Sequence, residues 1–202
     1  MTSRLSPAVA GLLQAIEKKD TDKTPPALRL QFPGGATVTQ PNLPVAAPDA
    51  QTDPAYAVPS SFLPPGGADK DKTRYLCLSL DIDAPFPSFP FLSPILHGVQ
   101  TDLVLSPATA AAGDGWTPLV SDVTAVVAYS GPRPPPISGP HRYIFLLYEQ
   151  PAKLDAAGIR KTMQWPETIT VSARMRFDAK AFETALGLGQ VVAATTFLAK
   201  AS

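Results

Sequence analysis

The chain has two histidines, and each stands near the start of an apolar run that reads as a strand: His97 in "ILHGVQTDLVL" and His141 in "HRYIFLLYEQ". With a two-residue repeat, His141, Tyr143 and Phe145 share one face of the second run, and Arg142 and Ile144 share the other. A third run, "RYLCLSLDIDAP", ends in Asp81 and Asp83, which the same repeat puts on one face roughly 7 Å apart. Imidazole and phenol groups donate hydrogen bonds, and nearby carboxylates favour the charged imidazolium. A set of this kind at a sheet rim could grip an anion or move a proton. Plainer roles compete with these: the aspartates could only cap a turn, and each histidine could be a satisfied structural residue.

The elements that must position these groups follow from local patterns. Ser6-Pro7 reads as an N-cap with proline in the first turn, and Val9, Leu12, Leu13 and Ile16 recur at helical spacing, so residues 1–20 carry an amphipathic helix. "ALRLQF" alternates as a strand. Residues 33–72, rich in Pro, Gly, Ala and Asp, read as extended chain wrapping the domain, with "ATVTQ" as a short strand. Beyond them "VTAVVAY", "ITVSARMRF" and "VVAATTF" join the three runs above as strands, separated by Pro/Gly segments. "FDAKAFETALGLG" reads as a helix capped by Asp178 and stopped at Gly187. Short strands punctuated this way indicate a mainly β sandwich or barrel with a few helices, in one domain over residues 1–202.

Composition removes several functions. Of 202 residues, 45% are hydrophobic and 17% charged, with zero net charge, so the chain folds but lacks the cationic surplus of a nucleic-acid binder. Its single cysteine, Cys77, excludes an internal disulfide and a thiolate zinc site. No run approaches a bilayer span and the first residues are no secretory signal, which reads as a cytoplasmic, reducing location. No Gly-x-Ser-x-Gly elbow or glycine-rich phosphate loop is present. His97, His141 and Asp81 could form a two-histidine, one-carboxylate metal set.

"SLDIDAPFP", "ILHGVQTDL" and above all "YSGPRPPPISGPHRYIFLLYEQP" resemble the phosphatidylethanolamine-binding protein family, which includes Raf kinase inhibitor proteins, plant flowering regulators and the yeast carboxypeptidase Y inhibitor. The closing "FDAKAFETALGLGQVVAATTF" is similar too, and the opening helix looks like that of fungal members. The resemblance implies a β-sandwich, a large antiparallel central sheet plus a smaller one, with peripheral helices. It implies a pocket for phosphate, phosphoryl or carboxylate groups, lined here by Asp81, Asp83, His97, His141 and Tyr143, with Ala84-Pro85 as a cis peptide and no metal or cofactor. Departures from the family pattern are Ile82 for a usual proline, Gly98 where an aromatic often follows the first histidine, Ile137 for a usual glycine, and Arg133 in the proline-rich loop. Gly98 would widen the mouth, and Arg133 could add a bidentate donor for a carboxylate or be only a solvated loop charge.

Three functions follow. The first is a module that binds a small anion: phosphate, a carboxylate or a dicarboxylate. The second is an enzyme or enzyme-assisting protein, with His97, His141 and Asp81 as the groups able to act on a bound dicarboxylate; divergent fungal relatives accompany the biosynthesis of maleic-anhydride-derived natural products, which would make a biosynthetic enzyme the partner. The third is a protease or kinase inhibitor acting through its surface and amino-terminal segment.

Overall fold

The computed structural model describes residues 4–20, 22–62, 73–106 and 114–201. The part of the 33–72 segment from 63 onward lies outside them. Nine strands form the framework: β1 (Arg29–Gln31), β2 (Thr37–Val38), β3 (Leu43–Pro44), β4 (Ala55–Pro59), β5 (Tyr75–Asp81), β6 (Ile95–Leu105), β7 (Trp116–Val120), β8 (His141–Glu149) and β9 (Val191–Ala199). Among the described residues four α-helices accompany them: α1 (Pro7–Lys18), α2 (Ala156–Met163), α3 (Val171–Arg174) and α4 (Ala179–Leu186). No described helix is long and apolar enough to cross a membrane.

The strands run β2-β1-β4-β7-β6-β5-β8-β9-β3 in one continuous sheet, all pairs antiparallel except β3 with β9. The sheet curls until β2 approaches β9, so it is barrel-like. This corrects the expectation of a large sheet and a separate smaller one. The cause is β6, which pairs with β5 from Ile95 to Leu103 while Val104 and Leu105 pair with β7. The strand turns the corner at Asp102, in the left-handed region at φ 56°. Gln150 holds that corner: its Oε1 accepts from the Asp102 amide at 2.8 Å, and its Nε2 donates to Asp102 Oδ1 at 3.1 Å. Arg74 pairs with the same carboxylate.

The strands β5 and β8 lie at the centre, buried on both faces, as continuous apolar runs require. Their alternation divides the core. Leu76, Leu78, Leu80, Ile82, Ile144, Leu146 and Tyr148 pack beneath α1, α2 and α4. Cys77, Tyr143, Phe145 and Leu147 face the other way, toward residues of β1, β2, β4 and β9. Ile82, standing where the family pattern has proline, joins the helical side of the core.

Helix ends follow their local chemistry. Ser6 Oγ accepts from the Val9 amide, Asp178 Oδ1 from the Ala181 amide, and Gly187 ends α4 at φ 63°. Two expected strands are absent. "VTAVVAY" contributes a single bridge, Val127 to Val99, because β6 is carried away at the Asp102 corner shortly afterwards. "ITVSARMRF" contains α3 instead: the Thr170 hydroxyl accepts from the Ala173 amide and winds one turn, overriding the β-branched alternation. The strands β4 and β7 and the helix α2 lie in stretches whose sequence carried no clear period.

Candidate anion site at the sheet rim

The end of β5, the start of β6 and the start of β8 meet at one rim, and Asp81, His97 and His141 surround a cavity of about 240 Å³ there. Arg133, Pro135 and Ser130 from the loop before β8, Ala84 and Pro85 after β5, and Val171, Arg174 and Met175 from α3 and its end also line it. The Ala84-Pro85 peptide is cis, and Ser93-Pro94 is a second cis bond.

The sites of Asp81 and His141 are interlocked. Asp81 is 3% exposed and His141 1%. Asp81 Oδ1 accepts from the Asp83 amide at 2.8 Å, a turn closed by the aspartate on its own backbone, and Oδ2 lies 2.8 Å from His141 Nδ1. His141 Nε2 lies 3.1 Å from the Pro85 carbonyl and 2.8 Å from Ser138 Oγ. The carboxylate on one ring nitrogen and the carbonyl on the other both call for donors, which favours the imidazolium, whereas the Ser138 hydroxyl can also donate to Nε2. Burial alone would push the His141 pKa down, but the bond and charge of Asp81, the Pro85 carbonyl and the Asp83 charge outweigh it and raise the value.

His97 behaves oppositely. Its Nδ1 donates to the Ser130 carbonyl, and burial lowers its pKa despite that bond and the Asp81 charge, with Arg174 and His141 adding repulsion. His97 is therefore neutral at pH 7, and its Nε2, which has no hydrogen bond among the described residues, can only accept. The pair offers one charged ring whose donors are already engaged and one neutral ring with an open acceptor. The same accounting leaves the metal set of Asp81, His97 and His141 without a free nitrogen on His141, and among the described residues no three such groups cluster as metal ligands.

Asp83 does not share the space with Asp81. The turn after β5 swings it to the helical side, where it is 2% exposed and clasped by Arg142: Oδ2 accepts from the Arg142 amide at 2.8 Å and from Nε at 2.9 Å, and Oδ1 from Nη2 at 2.8 Å. Arg142 also pairs with Glu17 of α1. The expectation of two carboxylates in one pocket failed because the strand repeat ends at Asp81. Tyr143, paired in register with Asp81, stands behind the cavity, edge-on to His97 at 5.1 Å and stacked on Phe197 at 5.1 Å. Its buried hydroxyl has no partner at hydrogen-bond geometry among the described residues, and burial, then the Asp81 charge, drive its pKa far up, so it stays a neutral phenol.

Two guanidiniums complete the electrostatics. Arg133 is exposed at the cavity and has no ion pair among the described residues. Arg174 belongs to α3, where the sequence pattern points to a strand; it donates to the carbonyls of His97 at 3.0 Å, Leu96 at 3.3 Å and Ala128 at 2.9 Å, and among the described residues no carboxylate answers it. Asp81 balances His141, so the cavity is left with the charge of both arginines.

Gly98 does not widen the mouth. A Cβ there would lie 3.1 Å from Ser79 Oγ and 3.3 Å from the Tyr129 Cα, so the missing side chain lets residues 127–129 approach β6. Gly98→Trp is therefore expected to cost about 1–3 kcal/mol or more by overpacking, read as a lowered midpoint in thermal unfolding; an unchanged midpoint would show that this approach is not required.

Known proteins match the chain along most of its length. The sequence profile described as Phosphatidylethanolamine-binding protein matches residues 20–196. The chain is 33% identical over 135 residues to Protein BROTHER of FT and TFL 1 of Arabidopsis thaliana, covering 67% of this chain and 62% of that one. It is 33% identical over 103 residues to the Carboxypeptidase Y inhibitor of Saccharomyces cerevisiae, covering 48% and 47%. The matched stretches thus span about half to three-fifths of these relatives' own lengths. The fold is similar to that of carboxypeptidase Y inhibitor in a crystal structure with its cognate proteinase (TM-score 0.67, 20% identity, all of both chains). It is also similar to a phosphatidylethanolamine-binding protein from Plasmodium vivax (TM-score 0.61, 16% identity, 97% and 98% covered). With the profile running from just after α1 through most of β9, and so across every strand that builds the rim, the chain belongs to the phosphatidylethanolamine-binding protein family.

Proposed function

We propose that the protein binds a small anionic ligand, bearing phosphate or carboxylate, in the cavity lined by Asp81, His97, Arg133, His141 and Arg174. The observation that carries this reading is the pair of guanidiniums at one small cavity with no carboxylate to neutralise them. In this reading Arg133 and Arg174 bind the anion, the open nitrogen of His97 accepts from a hydroxyl or protonated acid oxygen, and Tyr143 backs the two rings. A volume near 240 Å³ favours a phosphate or a short dicarboxylate over a large ligand.

Titration with inorganic phosphate, and separately with succinate, followed through the ring signals of His97 and His141, tests this. Saturable shifts in the micromolar to millimolar range are expected. Arg133→Ala, which touches no structural partner, should weaken binding about tenfold or more without altering stability, because a charge-assisted bond contributes roughly 1.5–3 kcal/mol. Ring signals that stay put at about 10 mM of either anion would overturn the reading.

A second reading, contact with a protease, draws support from the similarity to the yeast carboxypeptidase Y inhibitor. Stoichiometric inhibition retained by Arg133→Ala would favour it.

A further inference from the structure

Beside the cavity, outside its lining residues, stands a hydroxyl that anion binding does not use. Ser138, in the loop before β8, has its Oγ 2.8 Å from His141 Nε2, while His141 Nδ1 lies 2.8 Å from Asp81 Oδ2. An alcohol, an imidazole and a buried carboxylate joined through the two ring nitrogens form the arrangement that makes serine nucleophilic. The three residues come from different parts of the chain, Asp81 ending β5 and His141 opening β8 sixty positions later. Asp81 and His141 are buried, so the ring's orientation is fixed, whereas Ser138 is half-buried and open to a reagent. The following residue, Gly139, is exposed, and a Cβ there would meet only Pro87, at 3.7 Å.

We infer that Ser138 is a nucleophile for acyl transfer, with His141 as its base and Asp81 as the positioning residue, acting on small esters or thioesters whose acyl group carries a negative charge. The charge preference rests on the anion-site reading, through Arg133 and Arg174; the nucleophile does not. In the reacting state His141 is neutral, with its hydrogen on Nδ1 toward Asp81, and Ser138 donates its hydroxyl hydrogen to Nε2. Oγ forms a bond to the carbonyl carbon as its proton passes to Nε2. The carbon–oxygen or carbon–sulfur bond to the leaving group then breaks, and the leaving alkoxide or thiolate takes that proton. Water, giving a proton to the same nitrogen, attacks the acyl-serine; the bond from the acyl carbon to Oγ breaks, Oγ takes that proton, and the acid leaves.

The resting arrangement differs in one respect. With the Pro85 carbonyl also on Nε2, the ring is held protonated, so the reaction should quicken as pH rises through the titration of His141. The groups facing that ring are Asp81 at the end of β5, His97 on β6 and the Tyr143 phenol beside it, while the Asp83 charge acts on it from the helical side.

The test treats the full chain with diisopropyl fluorophosphate, with 4-nitrophenyl acetate and with mono-4-nitrophenyl succinate, and maps adducts by mass spectrometry. One adduct on Ser138 is expected, with a rate that climbs with pH alongside the His141 ring signal, a faster reaction with the succinate ester, and a loss of about a hundredfold in Ser138→Ala. Labelling elsewhere, an unchanged rate in Ser138→Ala, or no adduct at any pH from about 6 to 9 would overturn the nucleophile. Phosphate binding by the unmodified protein is measured in parallel. Binding without a Ser138 adduct would overturn this inference alone, whereas a Ser138 adduct with neither phosphate binding nor preference for the charged ester would support the nucleophile and overturn the anion site.

Discussion

Asp81→Asn is expected to lower stability by about 2–4 kcal/mol and to abolish the alkaline limb of the stability profile. The carboxylate serves two donors at once, the Asp83 amide and His141 Nδ1. An asparagine has one acceptor oxygen, so whichever way it turns, its own amide confronts one of those donors in a site 3% exposed. The pH dependence has a definite sign. His141 has a folded pKa raised above the ordinary 6.5, so the stability it contributes is complete below that value and is lost as pH climbs through the raised one. His97 has a folded pKa below 6.5, so the unfolded chain takes up its proton first and stability falls as pH drops from 6.5 through the lowered value. The two rings together place an optimum near the ordinary imidazole value. Urea unfolding from about pH 5 to 9 would reveal it. In Asp81→Asn the acid limb should survive and the alkaline one should flatten; an alkaline limb of the original depth would mean that Asp81 is not what holds the proton on His141.

Asp83→Ala is expected to be about as damaging to the fold, roughly 3–5 kcal/mol, while leaving phosphate affinity within about twofold. Asp83 accepts three hydrogen bonds from Arg142, one from the amide that opens β8 and two from the guanidinium. Without it a buried amide is orphaned and Arg142 keeps only its pairing to the exposed Glu17. The carboxylate faces the helices and not the cavity, so the anion should be indifferent to its loss. Chemical denaturation together with phosphate titration separates the two effects. A folded Asp83→Ala protein with phosphate affinity reduced tenfold would return that carboxylate to the site.

The contrast between these two aspartates shows what was legible beforehand. A strict two-residue repeat carried β5, β6, β8 and β9 almost residue for residue, since each is long and at least half buried and therefore patterned by the core. It also put His141 and Tyr143 on one face. The repeat has no authority past the last ladder bond, and Asp83 is two residues too far. Arg174 was obscured because a threonine cap outweighed the strand-like run around it, a contest between local side-chain bonding and periodicity that composition does not decide. Ser138 carried no signal at all: a serine before glycine in a proline-rich loop is ordinary, and only the chain's return beside Pro85 gives it a neighbour worth noting. The single sheet was hidden for a similar reason, since nothing in "QTDLVL" announces that Asp102 adopts a left-handed conformation and sends one strand into both halves.

Val9 of α1 has no exposure, and Leu12, Leu13 and Ile16 beside it have less than a tenth. At roughly 1.5–3 kcal/mol for each such side chain, these four contribute an amount comparable to the whole stability margin of an ordinary domain. The helix α1 is accordingly masonry, a bricked-in course mortared to the rim through Glu17 and Arg142. Any partner that reads this end of the molecule must recognise it as a face already in place, because pulling it loose as an arm would bring down the wall behind it.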